Sequence, residues 1–275
     1  MRRLTLLFIL VSTLFGSLSA QESHDYVPLV HDGVTWVYYM ENIFTGDAAV
    51  FEYRFDGTKE VGGKTFHRLC SRKNDGEWSE ISLYREERHR VYEITDMIDI
   101  EAFYLTDPNI GEYLVMDFDD MKSVFALGYY DNATFEDGTC EMADGTTRHA
   151  IYIDGTLRYI EGIGTDDGIL HDLILPGDGS RFHLSYVVDG DNVVYYGQAN
   201  ERHRFYEKYG LSFYHCDLNR DGNINSGDVA ALYGTLTGSD EQYELDESLK
   251  ALYDVNGDGE VNSADVSTLY DLIVK

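Results

Sequence analysis

The chain of 275 residues carries 50 acidic and 21 basic side chains, a formal net charge of −29. A surface this acidic repels the phosphates of nucleic acids and of anionic lipid headgroups, so nucleic acid is excluded as a partner class. Hydrophobic residues make up 43% and aromatic residues 13% of the sequence, which is enough for a folded core, so the acidic surplus favours cation binding over disorder.

Residues 1–20 have the pattern of a signal peptide. Arg2 and Arg3 precede an apolar run from 4 to 18, and the small residues Ser19 and Ala20 follow it. A membrane span needs ~20 apolar residues, so this run is too short to be an anchor. No later stretch is long and apolar enough to cross a bilayer. We therefore expect cleavage after Ala20 and a mature protein that is secreted, periplasmic or on the cell surface, without a membrane span.

Residues 21–199 have the pattern of a β-rich domain. In "FEYRF", Phe51, Tyr53 and Phe55 alternate with charged residues, as in a strand with one buried face. Similar runs recur up to residue 196, separated by turn pairs such as Asp154-Gly155. "WVYYM" alternates in the same way, with Trp36, Tyr38 and Met40 on one face. Short, regularly spaced strands predict a mostly antiparallel β fold, either a sandwich or a curled sheet.

The stretch "GTKEVGGKT" at residues 57–65 is close to a phosphate-binding loop. That loop requires Lys directly after its second Gly and a helix behind it, because the helix N-terminus binds the phosphate. Here Gly63 stands in place of the Lys, and "TFHRLC" continues as a strand. We therefore predict a β-hairpin and no nucleotide site.

No catalytic motif stands out in the β-rich region. The sequence contains neither H-E-x-x-H nor G-x-S-x-G. Glu161 with Asp166 or Asp167 has the residue types that flank a glycosidic bond, but among 50 acidic residues such pairs arise by chance. We favour a solvated turn at Glu161 and a non-catalytic domain, with a glycan-degrading hydrolase as the alternative.

Three cysteines, Cys70, Cys140 and Cys216, make an odd count in a chain expected to be exported. They allow three disulfide pairings, each with one thiol left over, or three buried free thiols. The sequence does not choose between these arrangements.

Residues 200–215 have the pattern of a linker with a short helix. Asn200 is a candidate N-cap, "ERHRFYEKY" follows, and Gly210 is a candidate C-cap. The next residues, "YGLSFYH", are expected to be extended. The segment is not rich in Pro or Ser, so we expect the C-terminal part to pack against the β-rich region.

Two loops of twelve residues follow, and they have the pattern of calcium sites. "DLNRDGNINSGD" begins at Asp217, and "DVNGDGEVNSAD" begins 37 residues later (254 minus 217) at Asp254. Such a loop supplies six oxygen ligands from positions 1, 3, 5, 7, 9 and 12, and Gly at position 6 allows the sharp turn. Mg²⁺ needs tighter octahedral geometry, so we predict two Ca²⁺ ions. The predicted ligands are Asp217, Asn219, Asp221, the carbonyl of Asn223, Asn225 and Asp228 in the first loop, and Asp254, Asn256, Asp258, the carbonyl of Glu260, Asn262 and Asp265 in the second.

Each loop is followed by a helical pattern. Val229, Leu232, Tyr233 and Leu236 fall at i, i+3, i+4 and i+7, and the same spacing recurs from Val266 to Ile273. Between the repeats, Leu245, Leu249 and Leu252 form a third apolar stripe. An EF-hand sensor prefers Glu at position 12 and a helix before the loop. Both loops end in Asp, and the first follows a segment expected to be extended.

Residues 216–275, the tail, resemble the type I dockerin domain, which has two F-hand calcium repeats with Asp at position 12 and a linking helix. The resemblance implies a small all-α domain that docks onto a cohesin domain, often in complexes that degrade plant polysaccharide. Gly227 and Ala264 depart from the family's Ser/Thr pair, so the partner is either a divergent cohesin or another exported protein, or the protein's own β-rich domain. The partner contacts that the resemblance implies are Ser226, Gly227, Tyr233, Gly234, Ser263, Ala264, Tyr270 and Asp271.

Two short stretches of the β-rich region, residues 26–39 and 159–164, are similar to a β-rich domain of exported Bacteroidetes proteins. This similarity implies no particular activity. The sequence as a whole predicts an exported calcium-binding protein whose tail docks a β-rich domain onto a partner, in polysaccharide breakdown or glycan binding.

Overall fold

The structure is a computed structural model, and it describes residues 26–94, 106–107, 111–120, 133–165, 179–238 and 247–274. The predicted signal peptide, Asp166, Asp167 and Leu245 lie outside these residues. The described chain is mostly antiparallel β up to residue 196 and helical from residue 200 onward, which confirms the predicted fold class. Of the helices within these ranges, none is long and apolar enough to cross a bilayer.

A large antiparallel sheet forms the body of the β-rich region. Counted over the described residues it has nine strands, in the order β12-β11-β1-β2-β3-β4-β5-β7-β6. β1 therefore lies inside the sheet, hydrogen-bonded to β11 on one side and to β2 on the other. The strands are β1 (Val34–Asn42), β2 (Ala48–Val61), β3 (Lys64–Lys73), β4 (Ser79–Glu87), β5 (Arg90–Ile94), β6 (Thr106–Asp107), β7 (Glu112–Asp117), β11 (Ser180–Asp189) and β12 (Asn192–Tyr196).

A second sheet contains β8 (Phe135–Glu141), β9 (Thr147–Ile153) and β10 (Thr156–Ile160), in the order β10-β9-β8. Asp154 and Gly155 connect β9 to β10 with φ angles of 51° and 74°. Positive φ at both central residues is the geometry of the tight hairpin turn that Asp-Gly favours. The turn predicted at this position is confirmed.

Side chains from both sheets form one buried core. Trp36 and Phe55 of the large sheet belong to the same cluster as Ile151 and Tyr159 of the small sheet. The indole N–H of Trp36 donates to the carbonyl of Ile163 over 2.6 Å. This bond joins the two sequence stretches that carry the resemblance to exported β-rich domains.

The stretch from 57 to 65 is a hairpin, as predicted. Gly62 and Gly63 form its turn with φ angles of 58° and 79°, and Val61 pairs with Lys64 across it. Because β3 and not a helix follows the turn, this segment has no helix N-terminus to bind a phosphate.

Five helices occupy the described part of the chain after residue 199, and two of them differ from the prediction. Helix α1 includes Asn200, and Ala199 stands at the N-cap without a side-chain hydrogen bond, so Asn200 does not cap it. Gly210 ends α1 in the left-handed conformation, with its N–H bonded to the carbonyl of Tyr206 over 2.7 Å. The segment expected to be extended before the first loop contains the one-turn helix α2. The helices are α1 (Asn200–Tyr209), α2 (Phe213–Cys216), α3 (Ser226–Thr237), α4 (Glu247–Tyr253) and α5 (Ser263–Val274).

Helix α1 packs on the face of the large sheet opposite the core. His203 of α1 is buried, and its ring stacks on Tyr39 of β1 and on Tyr186 of β11, with centroid distances of 5.7 and 5.8 Å. Its Nδ1 lies 2.9 Å from the hydroxyl of Ser185. β1 is therefore buried on both faces, where the alternation of its sequence predicted burial of only one.

A buried carboxylate connects β1 to the segment that leads into the tail. Glu41 is 5% exposed, and its Oε1 accepts the hydroxyl of Ser212 at 2.7 Å and the backbone N–H of Tyr214 at 2.9 Å. Arg202 of α1 approaches the other carboxylate oxygen at 3.6 Å. These contacts fix the segment that precedes the tail against the β-rich region.

All three cysteines are free thiols. Cys70 and Cys216 are buried, whereas Cys140 is half-buried. Burial raises the pKa of the Cys216 thiol to about 12, which keeps it protonated.

Candidate calcium sites

Each twelve-residue loop turns sharply at its sixth position. Gly222 in the first loop and Gly259 in the second have φ angles of 83° and 88°, which side chains disfavour. The fourth positions, Arg220 and Gly257, also have positive φ angles of 63° and 71°. At position 4, Arg220 of the first loop therefore has the left-handed conformation that Gly257 has in the second loop.

The aspartate at position 1 binds the backbone of the turn. In the first loop, Oδ1 of Asp217 accepts the N–H of Asp221 at 3.1 Å and Oδ2 accepts the N–H of Gly222 at 3.0 Å. The equivalent bonds of Asp254 in the second loop measure 3.0 and 2.7 Å. The backbone of each loop thus fixes the orientation of the carboxylate at its first position.

The aspartate at position 12 closes each loop from the inside. Asp228 is fully buried, and its two oxygens accept the N–H groups of Asn219 at 3.1 Å and Asn225 at 2.8 Å. Asp265 is also fully buried, and its two bonds to the second loop measure 3.1 and 2.7 Å. A buried carboxylate is costly unless it is hydrogen-bonded, and these bonds stabilise both.

The helix after each loop begins earlier than position 12. Asn225 is the N-cap of α3, and its side chain accepts the N–H of Gly227 at 2.7 Å. Asp228 is the third helical residue and completes a capping box by accepting the backbone N–H of Asn225. Asn262 makes the equivalent 2.7 Å bond to Ala264. Helix α3 therefore begins two residues before Asp228, which caps it from the third helical position.

The middle positions form a chain of hydrogen bonds along the loop. Asn219 Oδ1 accepts the N–H of Asp221, and Asp221 Oδ1 accepts the N–H of Asn223, both at 2.9 Å. The bond from the Asn223 backbone, together with one from the side chain of Asn219, lowers the pKa of Asp221. Asp258 in the second loop makes the equivalent bonds, also at 2.9 Å. The Asp221 carboxylate therefore stays ionised at neutral pH, as a ligand of a dication must.

The donor set in each loop fits a hard dication. Three carboxylates, two side-chain amides and one backbone carbonyl supply the six predicted positions, and Ca²⁺ takes six to eight oxygens of these kinds. Among the described residues, no three side chains of His, Cys, Asp or Glu are gathered into a cluster that would hold a metal by themselves. A metal ion in either loop would therefore depend on amide and carbonyl oxygens as well as on carboxylates.

A small apolar core formed by the helices of the tail packs against both loops. Leu232 of α3 and Leu269 of α5 are fully buried in it, and Ile224 and Val261, at position 8 of the two loops, pack against it. Leu252 of α4 is also buried, in line with the third apolar stripe. The core holds the two loops on one scaffold.

A contact that the sequence did not reveal lies beside the second loop. His215 of α2 packs on Gly46, where an added Cβ would lie 2.3 Å from its Nδ1. Burial lowers the pKa of His215, although the nearby Asp254 carboxylate acts in the opposite direction. The turn between β1 and β2 thus lies against helix α2, directly before the tail. The sequence around Gly46 does not predict this contact, because His215 is remote from it in the chain.

The residues that the resemblance assigns to partner binding are mostly on the surface. Tyr233 and Tyr270 are 61% and 56% exposed, each one residue after a fully buried leucine of its helix. Ser226, Ser263 and Ala264 are exposed as well. Gly227 is half-buried, and an added Cβ there would lie 2.6 Å from the side-chain nitrogen of Asn219. A side chain at position 227 would therefore require the Asn219 side chain to move.

Glu161, the described member of the carboxylate pair considered for catalysis, is not part of a solvated turn. It is 4% exposed, and its Oε1 accepts the backbone N–H of Val27 at 2.6 Å. The favoured interpretation of this residue is wrong, because its carboxylate is buried against the backbone of Val27.

Comparison with known families agrees with the geometry of the tail. Residues 215–273 match the family model described as the dockerin type I domain. Searches of curated proteins and of solved structures found no match. The family match covers the tail and not the β-rich region. The tail is similar to domains that dock onto cohesins and that bind calcium in general.

Proposed function

We propose that the tail binds two Ca²⁺ ions, one in each loop. The observation that carries this proposal is the repetition of one hydrogen-bond pattern in two loops 37 residues apart (254 minus 217). In each loop, the carboxylate of position 1 accepts the backbone N–H groups of positions 5 and 6, and the carboxylate of position 12 accepts those of positions 3 and 9. Asp217, Asn219, Asp221, Asn223, Asn225 and Asp228 would hold one ion, and Asp254, Asn256, Asp258, Glu260, Asn262 and Asp265 the other.

The second part of the proposal is that the loaded tail docks the β-rich region onto a cohesin-like partner protein outside the cytoplasm. The family match supports a partner of this type. Large aromatic side chains are common anchors in protein interfaces, and Tyr233 and Tyr270 are both exposed. Their exposure favours a separate partner over the protein's own β-rich domain.

The third part concerns the β-rich region, which would be the cargo presented by the docked tail. Glu41 and His203 are buried where the sheet meets the segment leading into the tail, so docking would orient the β-rich region as well. We propose that this region serves glycan binding or polysaccharide breakdown.

Capture of a cohesin domain tests the docking proposal. The chain from Gln21 onward would be immobilised and exposed to a panel of purified cohesin domains, in calcium and in chelator. We expect binding in calcium that is lost in chelator and lost when Tyr233 and Tyr270 are both changed to Ala. Tyr196→Ala is the matched control, because Tyr196 is 54% exposed but belongs to β12. Equal capture in chelator, or an unaffected double variant, would contradict the proposal.

A further inference from the structure

Helix α2 lies between the β-rich region and the tail, and it contacts both. It has four residues. At its C-terminal end, Cys216 is fully buried in the apolar core of the tail, and the N–H of Asp217 donates to the carbonyl of Phe213 at 3.0 Å. Its other contacts are with β1 and with the turn that follows β1. The first ligand position of the first calcium loop is therefore attached to a helix that the β-rich region contacts.

The N-terminus of α2 is capped by a residue of β1. Ser212 stands at the N-cap, but its side chain makes no capping bond to the helix. Its hydroxyl donates instead to Oε1 of Glu41 at 2.7 Å, and the same oxygen accepts the N–H of Tyr214, the second helical residue, at 2.9 Å. An N-cap side chain normally accepts the N–H of the second or third helical residue. Glu41, which precedes Ser212 by 171 positions in the chain, thus takes the place of the local cap.

A helix as short as α2 is not stable by itself. Forming the first turn of a helix fixes several residues for a single hydrogen bond, so isolated short helices are unstable in water. Helix α2 therefore depends on the groups at its two ends, which are Glu41 on one side and the folded first loop on the other. Loss of one of these supports reduces what the other contributes.

Two further contacts connect α2 with the calcium loops. Arg220, at position 4 of the first loop, donates to the carbonyl of Tyr214 at 2.8 Å, and its guanidinium lies 3.4 Å from the centroid of the Tyr214 ring. The imidazole of His215 lies near Asp254, the first residue of the second loop. The same imidazole packs on Gly46, in the turn between β1 and β2, so closely that an added Cβ would lie 2.3 Å from its Nδ1. Each loop is thus connected through one residue of α2 to the β-rich region.

From these contacts we propose that α2 couples the two regions, so that calcium in the loops and the packing of the β-rich region on α2 stabilise each other. The proposal rests on calcium binding by the tail, the first part of the proposed function, and adds that the β-rich region contributes to the affinity. Coupling between two sites is reciprocal. A change in the β-rich region that disturbs α2 should therefore weaken calcium binding, and calcium should slow local opening at α2.

Gly46→Ala tests the first of these consequences from a position outside both calcium loops. The added methyl group displaces the imidazole of His215 and carries no charge that would act on calcium directly. Gly63→Ala is the matched control, because Gly63 has a similar φ angle (79° against 73°) in the turn between β2 and β3, and an added Cβ there would have no contact within 4 Å among the described residues. Isothermal titration of calcium into the chain from Gln21 onward should show at least one site weakened by about fivefold or more in Gly46→Ala, and wild-type affinities in Gly63→Ala.

Amide exchange measured by NMR on the wild-type chain tests the second consequence. The N–H of Tyr214 donates to Glu41, and calcium should slow its exchange by about fivefold or more. The N–H of Val27 is the matched control, since it also donates to a buried carboxylate, that of Glu161, within the β-rich region. Its exchange should be the same in calcium and in chelator.

Unchanged calcium affinity in folded Gly46→Ala would overturn the proposal, and so would an equal loss in Gly63→Ala or equal exchange of the Tyr214 N–H in calcium and in chelator. If Gly46→Ala does not fold, the exchange measurement decides alone, because it needs no variant. In all these cases the wild type still binds calcium, and the proposed function stands. A wild type that binds no calcium would contradict the proposed function, and the coupling with it.

Discussion

Replacement of Asp228 by Ala should damage the first calcium loop even in the absence of metal. The carboxylate is fully buried and accepts two backbone N–H groups, from Asn219 and Asn225. An N–H left without a partner in a buried position costs about 1–3 kcal/mol, and both of these bonds are only partly buried. The lost negative charge in the first turn of α3 adds about 0.5 kcal/mol. Since water can enter the space left by the side chain, we expect a total near the lower end, about 3 kcal/mol.

Chemical denaturation in chelator, followed by far-UV circular dichroism, would measure this loss in the full chain. Asp265→Ala should lose a similar amount, because its two bonds repeat those of Asp228. Ser267→Ala is the control in α5, since this exposed serine bonds only within its own helix among the described contacts, and such surface changes stay within about 0.5 kcal/mol.

Calcium titration of the same variants would separate metal binding from stability. Asp228→Ala and Asp265→Ala should each bind one ion fewer than the wild type, whereas Ser267→Ala should keep both. If both aspartate variants retain two ions and unfold as the wild type does, the assignment of the twelve-residue loops is wrong.

Three further outcomes follow from the structure. Calcium at about 100 times its dissociation constant should stabilise the folded chain by about 2.7 kcal/mol per ion, measured as a shift of the denaturation midpoint that chelator reverses. Glu41→Ala should speed proteolytic cleavage between the β-rich region and the tail, because Ser212 and Tyr214 lose their acceptor, and an unchanged cleavage rate would contradict that role. Burial lowers the pKa of His203 in the folded chain below its ordinary 6.5. As the pH falls below 6.5, the imidazole therefore takes up a proton more readily in the unfolded chain than in the folded one, and the free energy of unfolding decreases. His203→Gln should reduce this loss between neutral pH and about pH 5, and an identical pH profile would show that His203 contributes nothing to it.

The sequence predicted the fold class because its signals were local. Alternating residues such as Phe51 and Tyr53, and turns such as Asp154-Gly155, depend on near neighbours and reappear in the structure. The calcium loops could be found for the same reason, since their ligand positions follow one another in a single short segment. Their hydrogen bonds occur within the same twelve residues.

The contacts that escaped prediction join residues distant in the chain. Burial of both faces of β1 depends on His203 of α1, and the buried carboxylate of Glu161 is bound by the backbone of Val27. No periodicity within β1 or around Glu161 reports such partners. The helix start at Ser226 is ambiguous in the sequence for a different reason, because Asn225 and Asp228 are both good capping residues and only the backbone distinguishes their positions.

Isothermal titration of calcium into the chain from Gln21 onward tests the central claim most directly. Two complete ligand sets predict two bound ions per chain, with Mg²⁺ binding much more weakly because neither loop is built for strict octahedral geometry. A stoichiometry of zero, or equal affinity for the two metals, would contradict the account.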